Sequence, residues 1–261
     1  MPSARAWARA GDLMQAVTQK LQRWISHYAF RRMLPLRGEQ GVVSFSFDDA
    51  PQSACRLGRQ ILEQNSCHGT WYLAGGLTDQ PEQGKPCHSI ADVKALLANG
   101  HHVGCHTFSH RPCDQLTRSQ LESEFNRNAA FLRELGVPVS ELHFSYPLGA
   151  FDLAAKRLAA QRFASMRTTL GGAHFGQADL SALHAEKLYQ HVMPPERLER
   201  LIVEVAARKG WLIFYTHDIS DHPSEWGCSP ELLQHALALS LASGCRVLPV
   251  NEAIRHWSAP H

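Results

Sequence analysis

No stretch of this chain approaches eighteen consecutive apolar residues, so nothing in it reads as a helix that crosses a bilayer. Met1 to Ala10 carry arginines but lack the apolar run and small-residue cleavage site of an export signal. Cysteine occurs seven times, at Cys55, Cys67, Cys87, Cys105, Cys113, Cys228 and Cys245, an odd number that never forms a CxxC pair. Scattered thiols without an export signal read as reduced, which places the protein in the cytoplasm. No basic patch recurs with interleaved aromatics, which excludes a nucleic-acid partner. There is no internal repeat and no low-complexity linker. A length of 261 residues suits one large domain of the α/β-barrel size.

What charge there is lies unevenly. Residues 1–37 hold Arg5, Arg9, Lys20, Arg23, Arg31, Arg32 and Arg37 against Asp12 alone, a balance of +6 where the whole chain carries +2. Val17, Leu21, Trp24 and Tyr28 fall at helical spacing in the same stretch. We therefore expect residues 1–37 to form a basic amphipathic helical extension and 38–261 to form the main domain. The stripe packs on that domain in the plainer reading. In the sharper one, residues 1–32 rest on the anionic inner face of a membrane.

From residue 41 onward, short apolar runs alternate with helical stretches. Strands are expected at 41–47, 70–73, 102–104, 143–146, 163–169, 188–192, 211–216 and 246–250. Helices are expected around Leu57–Leu62 and at 90–97, 119–135, 196–208 and 230–242, with a loop over 170–186. Such alternation implies βαβ units and a parallel sheet, and the number of units favours a barrel.

Three polar clusters follow three of these runs directly: Asp48-Asp49, His106-Thr-Phe-Ser-His110 and His217-Asp218. The C-terminal strand ends of a parallel fold converge on one face, so clusters far apart in sequence meet there. Two histidines four apart share one side of a helical turn, and with a carboxylate they make a metal site with a position left open. Two adjacent carboxylates at the end of an apolar strand repel unless a cation or proton separates them, although one could instead cap a helix. Cys105 and Ser109 read as packing and turn residues. Trp226 is the tryptophan placed to stack on a ligand, whereas Trp71 and Trp211 read as core.

These residues carry a family resemblance. Ser46-Phe-Asp-Asp-Ala50, His106-Thr-Phe-Ser-His110, Ser145-Tyr-Pro-Leu-Gly149 and Ile213-Phe-Tyr-Thr-His217, in that order, resemble the motifs of the polysaccharide deacetylases, the NodB-like carbohydrate esterase family 4. The resemblance implies a distorted (β/α)7 barrel. It also implies a hydrolase removing N-acetyl groups from an N-acetylated glycan (a polymer, an oligosaccharide or a lipid-linked precursor). Asp49, His106 and His110 would bind a divalent metal, zinc first, with cobalt, manganese and nickel as the others. Asp48 would be the general base toward the attacking water, Tyr146 would help hold the oxyanion by its backbone amide, and His217 would protonate the leaving amine. One departure stands out: the third motif ordinarily opens with an arginine bracing the base, and Ser145 stands there. Arg167, on the following strand, is either the replacement for that arginine or a charge at the surface or rim. The acidic partner of His217 is left open among Asp152, Asp179 and Asp218. Two other readings stay beside the first: an amidase on a small linear or cyclic amide, and a catalytically silent carbohydrate-binding relative.

Overall fold

The strand Val42–Asp48 shows why this sequence curls into a barrel. Val43, Phe45 and Phe47 pack outward into the layer beneath the helices, while Val42, Ser44, Ser46 and Asp48 point the other way. Both faces are covered, so all seven residues are buried, as expected of a parallel strand. The computed structural model describes residues 25–82 and 84–259.

In chain order the strands are β1 (Met33–Pro35), β2 (Val42–Asp48), β3 (Thr70–Leu73), β4 (Pro81–Glu82), β5 (Lys85–Pro86), β6 (His102–Cys105) and β7 (His143–Ser145). They continue as β8 (Ser165–Arg167), β9 (Gln177–Asp179), β10 (Glu186–Lys187), β11 (Trp211–Thr216) and β12 (Arg246–Val247). The helices are α1 (Arg59–Glu63, entered through a π turn), α2 (Ile90–Ala98), α3 (Arg118–Glu134), α4 (Leu153–Ala160), α5 (Pro195–Arg208), α6 (Pro230–Ala242) and α7 (Val250–Ser258). The main sheet runs β10-β11-β2-β3-β6-β7-β8, all parallel, with β12 added beside the start of β2. Residues 180–187 close the ring. Leu183 bridges to Arg167 of β8, and three residues later Glu186 pairs with Phe214 of β11. The fold is thus an α/β barrel of the distorted (β/α)7 kind.

The helices start where local chemistry dictates. Ser89 with Asp92 and Thr117 with Gln120 form capping boxes on α2 and α3, and Asp152 and Ser229 cap α4 and α6. Buried stripes such as Leu198, Ile202 and Val205 on α5 press against the sheet. Below the barrel, Val250, Ala253 and Trp257 of α7 pack with Val42 and Trp211. Among the described residues, no helix is long and apolar enough to cross a membrane.

Several expectations change. The 170–186 segment is not all loop, because Gln177–Asp179 pairs antiparallel with Met33–Pro35. The run 188–192 is not a strand. Its ladder ends at Lys187 and the Leu188 amide, and the chain then turns, Val192 and Met193 both bonding back to Tyr189, to reach the start of α5. Strand 246–250 shortens to Arg246–Val247, since Pro249 begins the entry into α7. Val17, Leu21 and Trp24 of the expected leading stripe lie outside the described residues. Residues 25–28 are helical, with Tyr28 exposed, and Lys156 caps that turn by donating to the Ser26, His27 and Ala29 carbonyls.

Candidate functional site

Asp48, His106, His110 and His217 meet at the C-terminal end of the barrel, around a cleft of about 300 Å³. Alternation along β2 would throw Asp48 and Asp49 to opposite sides. Asp49 (φ 58°) and Ala50 (φ 48°) instead take left-handed backbone, which brings both carboxylates to the same face. Such a conformation costs roughly 1–2 kcal/mol per residue bearing a Cβ, least for aspartate and asparagine, so the turn is held by its surroundings. The His88 ring contacts the Asp49 carbonyl, and the His88 amide donates to that of Ala50.

Nε2 of His110 lies 3.1 Å and Nε2 of His106 lies 3.6 Å from Oδ1 of Asp49. All three ligand atoms fall within 4.8 Å of one another, a spacing that one ion could span. The outer nitrogens are engaged: His106 Nδ1 donates to the Ser145 carbonyl at 2.7 Å, and His110 Nδ1 meets Glu82 of the β4–β5 hairpin at 3.3 Å. This is how an outer shell fixes which imidazole nitrogen faces a metal. Burial lowers His110 and pushes His106 down to about 3, so both rings are neutral at ordinary pH, as ligands must be. Burial, with Asp48 and Glu82 adding to it against His217, raises Asp49 to about 7. Its Oδ1 is buried without a hydrogen bond. A neutral pair of imidazoles around an orphaned carboxylate oxygen is a donor set suited to a divalent cation.

The two histidines do not share a helical turn. Residues 106–110 form an irregular loop with Thr107 (φ 59°) and His110 (φ 52°) left-handed. Glu124, buried on α3, holds that loop by accepting from the Phe108 and Ser109 amides (2.9 and 2.7 Å) and the Ser109 hydroxyl (2.9 Å). Asn128, one turn on, accepts from the Gly75 amide and donates to the Leu73 carbonyl behind β3. Both sit among Leu121, Phe125 and Leu132 on the apolar face of α3. A carboxylate and an amide on a core stripe were the sequence signal for these supports.

Arg167 lies fully buried against Asp48. One guanidinium nitrogen, Nη2, donates to both Asp48 oxygens and to the Ser145 hydroxyl, while Nη1 donates to the Thr168 carbonyl at 2.9 Å. The group is flanked by Tyr72 and Tyr215, with its carbon 5.3 and 4.7 Å from their ring centres. Register explains the placement: Ser145 and Arg167 are directly paired across β7 and β8, so their side chains leave on the same side at the same level. Burial alone would raise the Asp48 carboxyl, but Arg167, with His106 and His217, holds it below the ordinary carboxylate value.

Tyr146 is a correction. Its amide donates to the Arg167 carbonyl at 3.0 Å, so it is spent on the ladder, and its ring stacks on Phe151 in the core. Leu148, left-handed (φ 56°) and 64% exposed, is the residue of that motif that lines the cleft. His217 stands opposite, its Nδ1 3.1 Å from the Trp226 carbonyl and its Nε2 3.8 Å from Asp49. None of the three aspartates partners it. Asp152 caps α4, Asp179 binds Lys156 and the Arg32 amide, and Asp218 binds Ser224 and Lys85. Tyr189 and Trp226 line the cleft, while Trp71 and Trp211 are core. All seven cysteines are free and buried. A hollow of about 340 Å³ at the opposite end of the barrel, beside Val103 and Arg255, contains none of these groups.

Comparison with known proteins agrees with the geometry. The polysaccharide deacetylase family profile matches residues 36–165. Among curated proteins no sequence match is found. Solved structures share the fold. The Bc1960 peptidoglycan N-acetylglucosamine deacetylase aligns at TM-score 0.62 and 15% identity, over 89% of this chain and 95% of its own. The chitin deacetylase of the fungal pathogen Colletotrichum lindemuthianum aligns at 0.59 and 18%, over 84% and 89%. BA3943 of Bacillus anthracis, described as a CE4 family pseudoenzyme, aligns at 0.54 and 12%, over 84% and 66%. With the family profile matched and the barrel in common, this chain belongs to the polysaccharide deacetylase family, the NodB-like carbohydrate esterases of family 4.

Proposed function

We propose that the protein is a metal-dependent hydrolase removing N-acetyl groups from an N-acetylated sugar in a glycan. The observation that carries the reading is that Asp49, His106 and His110, spaced as one ion would need, meet a separately braced carboxylate and a facing imidazole in one cleft. Asp49, His106 and His110 would hold the ion, with zinc favoured by two imidazoles and one carboxylate, and cobalt, manganese or nickel as the alternatives. When bound, the ion supplies Lewis acidity toward the acetyl carbonyl and lowers the pKa of water.

The chain's own groups do the rest. Asp48, kept ionised by Arg167, accepts the proton of the attacking water. His217 is anchored through Nδ1 on the Trp226 carbonyl, so a doubly protonated ring presents its Nε2 proton to the cleft. That proton goes to the departing amine, which is otherwise too basic to leave. Tyr189 and Trp226 offer apolar ring faces to a hexose. Membership alone does not carry activity, since one solved neighbour is described as a pseudoenzyme. What supports activity here is that Asp48, the Asp49–His106–His110 group and His217 face one cleft.

The test is acetate release from N-acetylated oligosaccharides by chelator-stripped protein, before and after reloading with each metal. Recovery of acetate and free amine on reloading is the expected result. Consumption of small linear or cyclic amides, with no acetate from any sugar at full metal occupancy, would move the substrate class.

A further inference from the structure

Two hollows meet at Lys187. One is the catalytic cleft. The other, about 310 Å³, is framed by Gly171, Glu186, Val192 and Arg197, and Thr169 and Lys187 line both. Lys187 pairs in register with Tyr215, whose ring faces Arg167 inside the barrel, so the lysine side chain leaves toward the same end as the catalytic groups.

The other charges around this junction have partners of their own. Asp48 is held by Arg167, and Asp49, which faces His106 and His110, would be matched by the ion of the proposed site. Glu186, buried in the second hollow, takes Arg197 at 2.6 Å and the Gly172 amide at 2.9 Å. Lys187 is exposed, with its ammonium 6.0 Å from the Tyr189 ring centre, and among the described residues no carboxylate lies within ion-pair distance of it. A lysine between two hollows whose nearest acid is taken leaves a net positive charge where a substrate would extend beyond the acetamido group.

We infer that the substrate carries an anionic group, a carboxylate or a phosphate, on or next to the N-acetylated ring. Lys187 is the residue that selects it and the Thr169–Arg197 hollow is its seat. This rests on the deacetylase reading and narrows its substrate class. A sugar ring spanning the cleft against Tyr189 and Trp226 would place its neighbouring substituent at the lysine.

The experiment compares kcat/KM of the metal-loaded enzyme on three substrates: a neutral N-acetylglucosamine oligomer, an oligosaccharide joining N-acetylglucosamine to a uronic acid, and N-acetylglucosamine 1-phosphate. At low ionic strength one anionic substrate should be favoured over the neutral one by roughly fivefold to tenfold, the scale of one partly solvated charged hydrogen bond. Which of the two is favoured identifies carboxylate or phosphate. The preference should shrink as salt is raised to about 0.5 M. Lys187→Arg should keep the ratio, Lys187→Met bring it close to one, and Lys187→Glu invert it. Equal rates on all three substrates, or a preference that survives Lys187→Met, would overturn the inference while leaving the deacetylase standing. Turnover of none of the three would overturn both.

Discussion

Replacing Arg167 by methionine removes the guanidinium and keeps much of the side-chain volume. It leaves Asp48 buried at 4% exposure with Ser145 as its nearest polar neighbour on that side. Breaking a buried ion pair from one side costs about 3–5 kcal/mol, because the remaining charge is unmatched. For a chain of this size that corresponds to a melting temperature lower by about 10 °C. The sign of the pH dependence follows from the pKa directions. With Arg167 present, the folded-state pKa of Asp48 is depressed, so the pair contributes stability above the ordinary carboxylate pKa and loses it as pH falls through the folded value. Without Arg167, burial raises that pKa, and the folded variant loses stability as pH rises past the ordinary value. The gap between the two proteins should therefore close only at pH values below the depressed folded pKa of Asp48, and should widen as pH rises through the ordinary carboxylate range toward neutrality. Turnover should fall by about 10²–10⁴, the range for loss of an ionised general base, and the acidic limb of the pH–rate profile should move to higher pH. Metal content should be retained. The register pairing adds a stricter test: Arg167→Ser should be as poor as Arg167→Met, and Ser145→Arg combined with Arg167→Ser should recover activity. An Arg167→Met enzyme with the wild-type rate and pH profile would refute the bracing role.

Other expectations follow from the same geometry. Asp48→Asn should keep metal and lose about 10²–10⁴ in turnover, whereas Asp49→Asn, His106→Ala and His110→Ala should lose metal, read by elemental analysis. Because burial raises Asp49 to about 7, the chelated protein should lose stability as pH rises from the ordinary carboxylate range through neutrality. Added metal should restore most at neutral pH and above, measured by melting with and without the ion. Glu82→Gln should weaken metal binding by about 10–100-fold in a chelator competition while leaving the fold intact. Glu124→Ala should lower metal affinity and melting temperature together, since three donors of the 106–110 loop lose their acceptor.

The parts of this site that were legible are those fixed by where strands end. Asp48-Asp49, His106 and His217 each follow an apolar run, and parallel topology brings those ends together whatever lies between them. Arg167 was legible for a related reason, because neighbouring parallel strands carry their residues at matched heights and Ser145 left a gap at one of them. Side-chain identity says much less about backbone in irregular segments. Spacing alone suggests a helical turn for His106 and His110, yet the left-handed residues of that loop are fixed by Glu124, which arrives from a helix outside the motif. The Tyr146 amide is assigned by a ladder bond to Arg167, which no local pattern announces. Residues 188–192 have a strand's composition, but the chain must turn there to enter α5, and their apolar side chains serve burial without a ladder.

The two aspartates show how one dipeptide acquires two chemistries. Both are almost wholly buried, so desolvation pushes each toward its neutral form. Arg167 reaches Asp48 with a hydrogen-bonding nitrogen and overcomes that push, whereas Asp49 faces the imidazoles of His106, His110 and His217 at 3.6, 3.1 and 3.8 Å and stays high. The left-handed turn at Asp49 makes this separation, because it swings the second carboxylate away from the arginine and toward the histidines. A carboxylate held ionised without a cation in the site is suited to take a proton. One that is ionised at neutral pH only when a cation joins it is suited to be a ligand. Exchanging the roles would require moving the arginine. The transposition of Ser145 and Arg167 leaves the guanidinium at the same height beside Asp48, so it should preserve the division of labour, and Asp48 should remain the residue whose amide variant keeps metal and loses turnover.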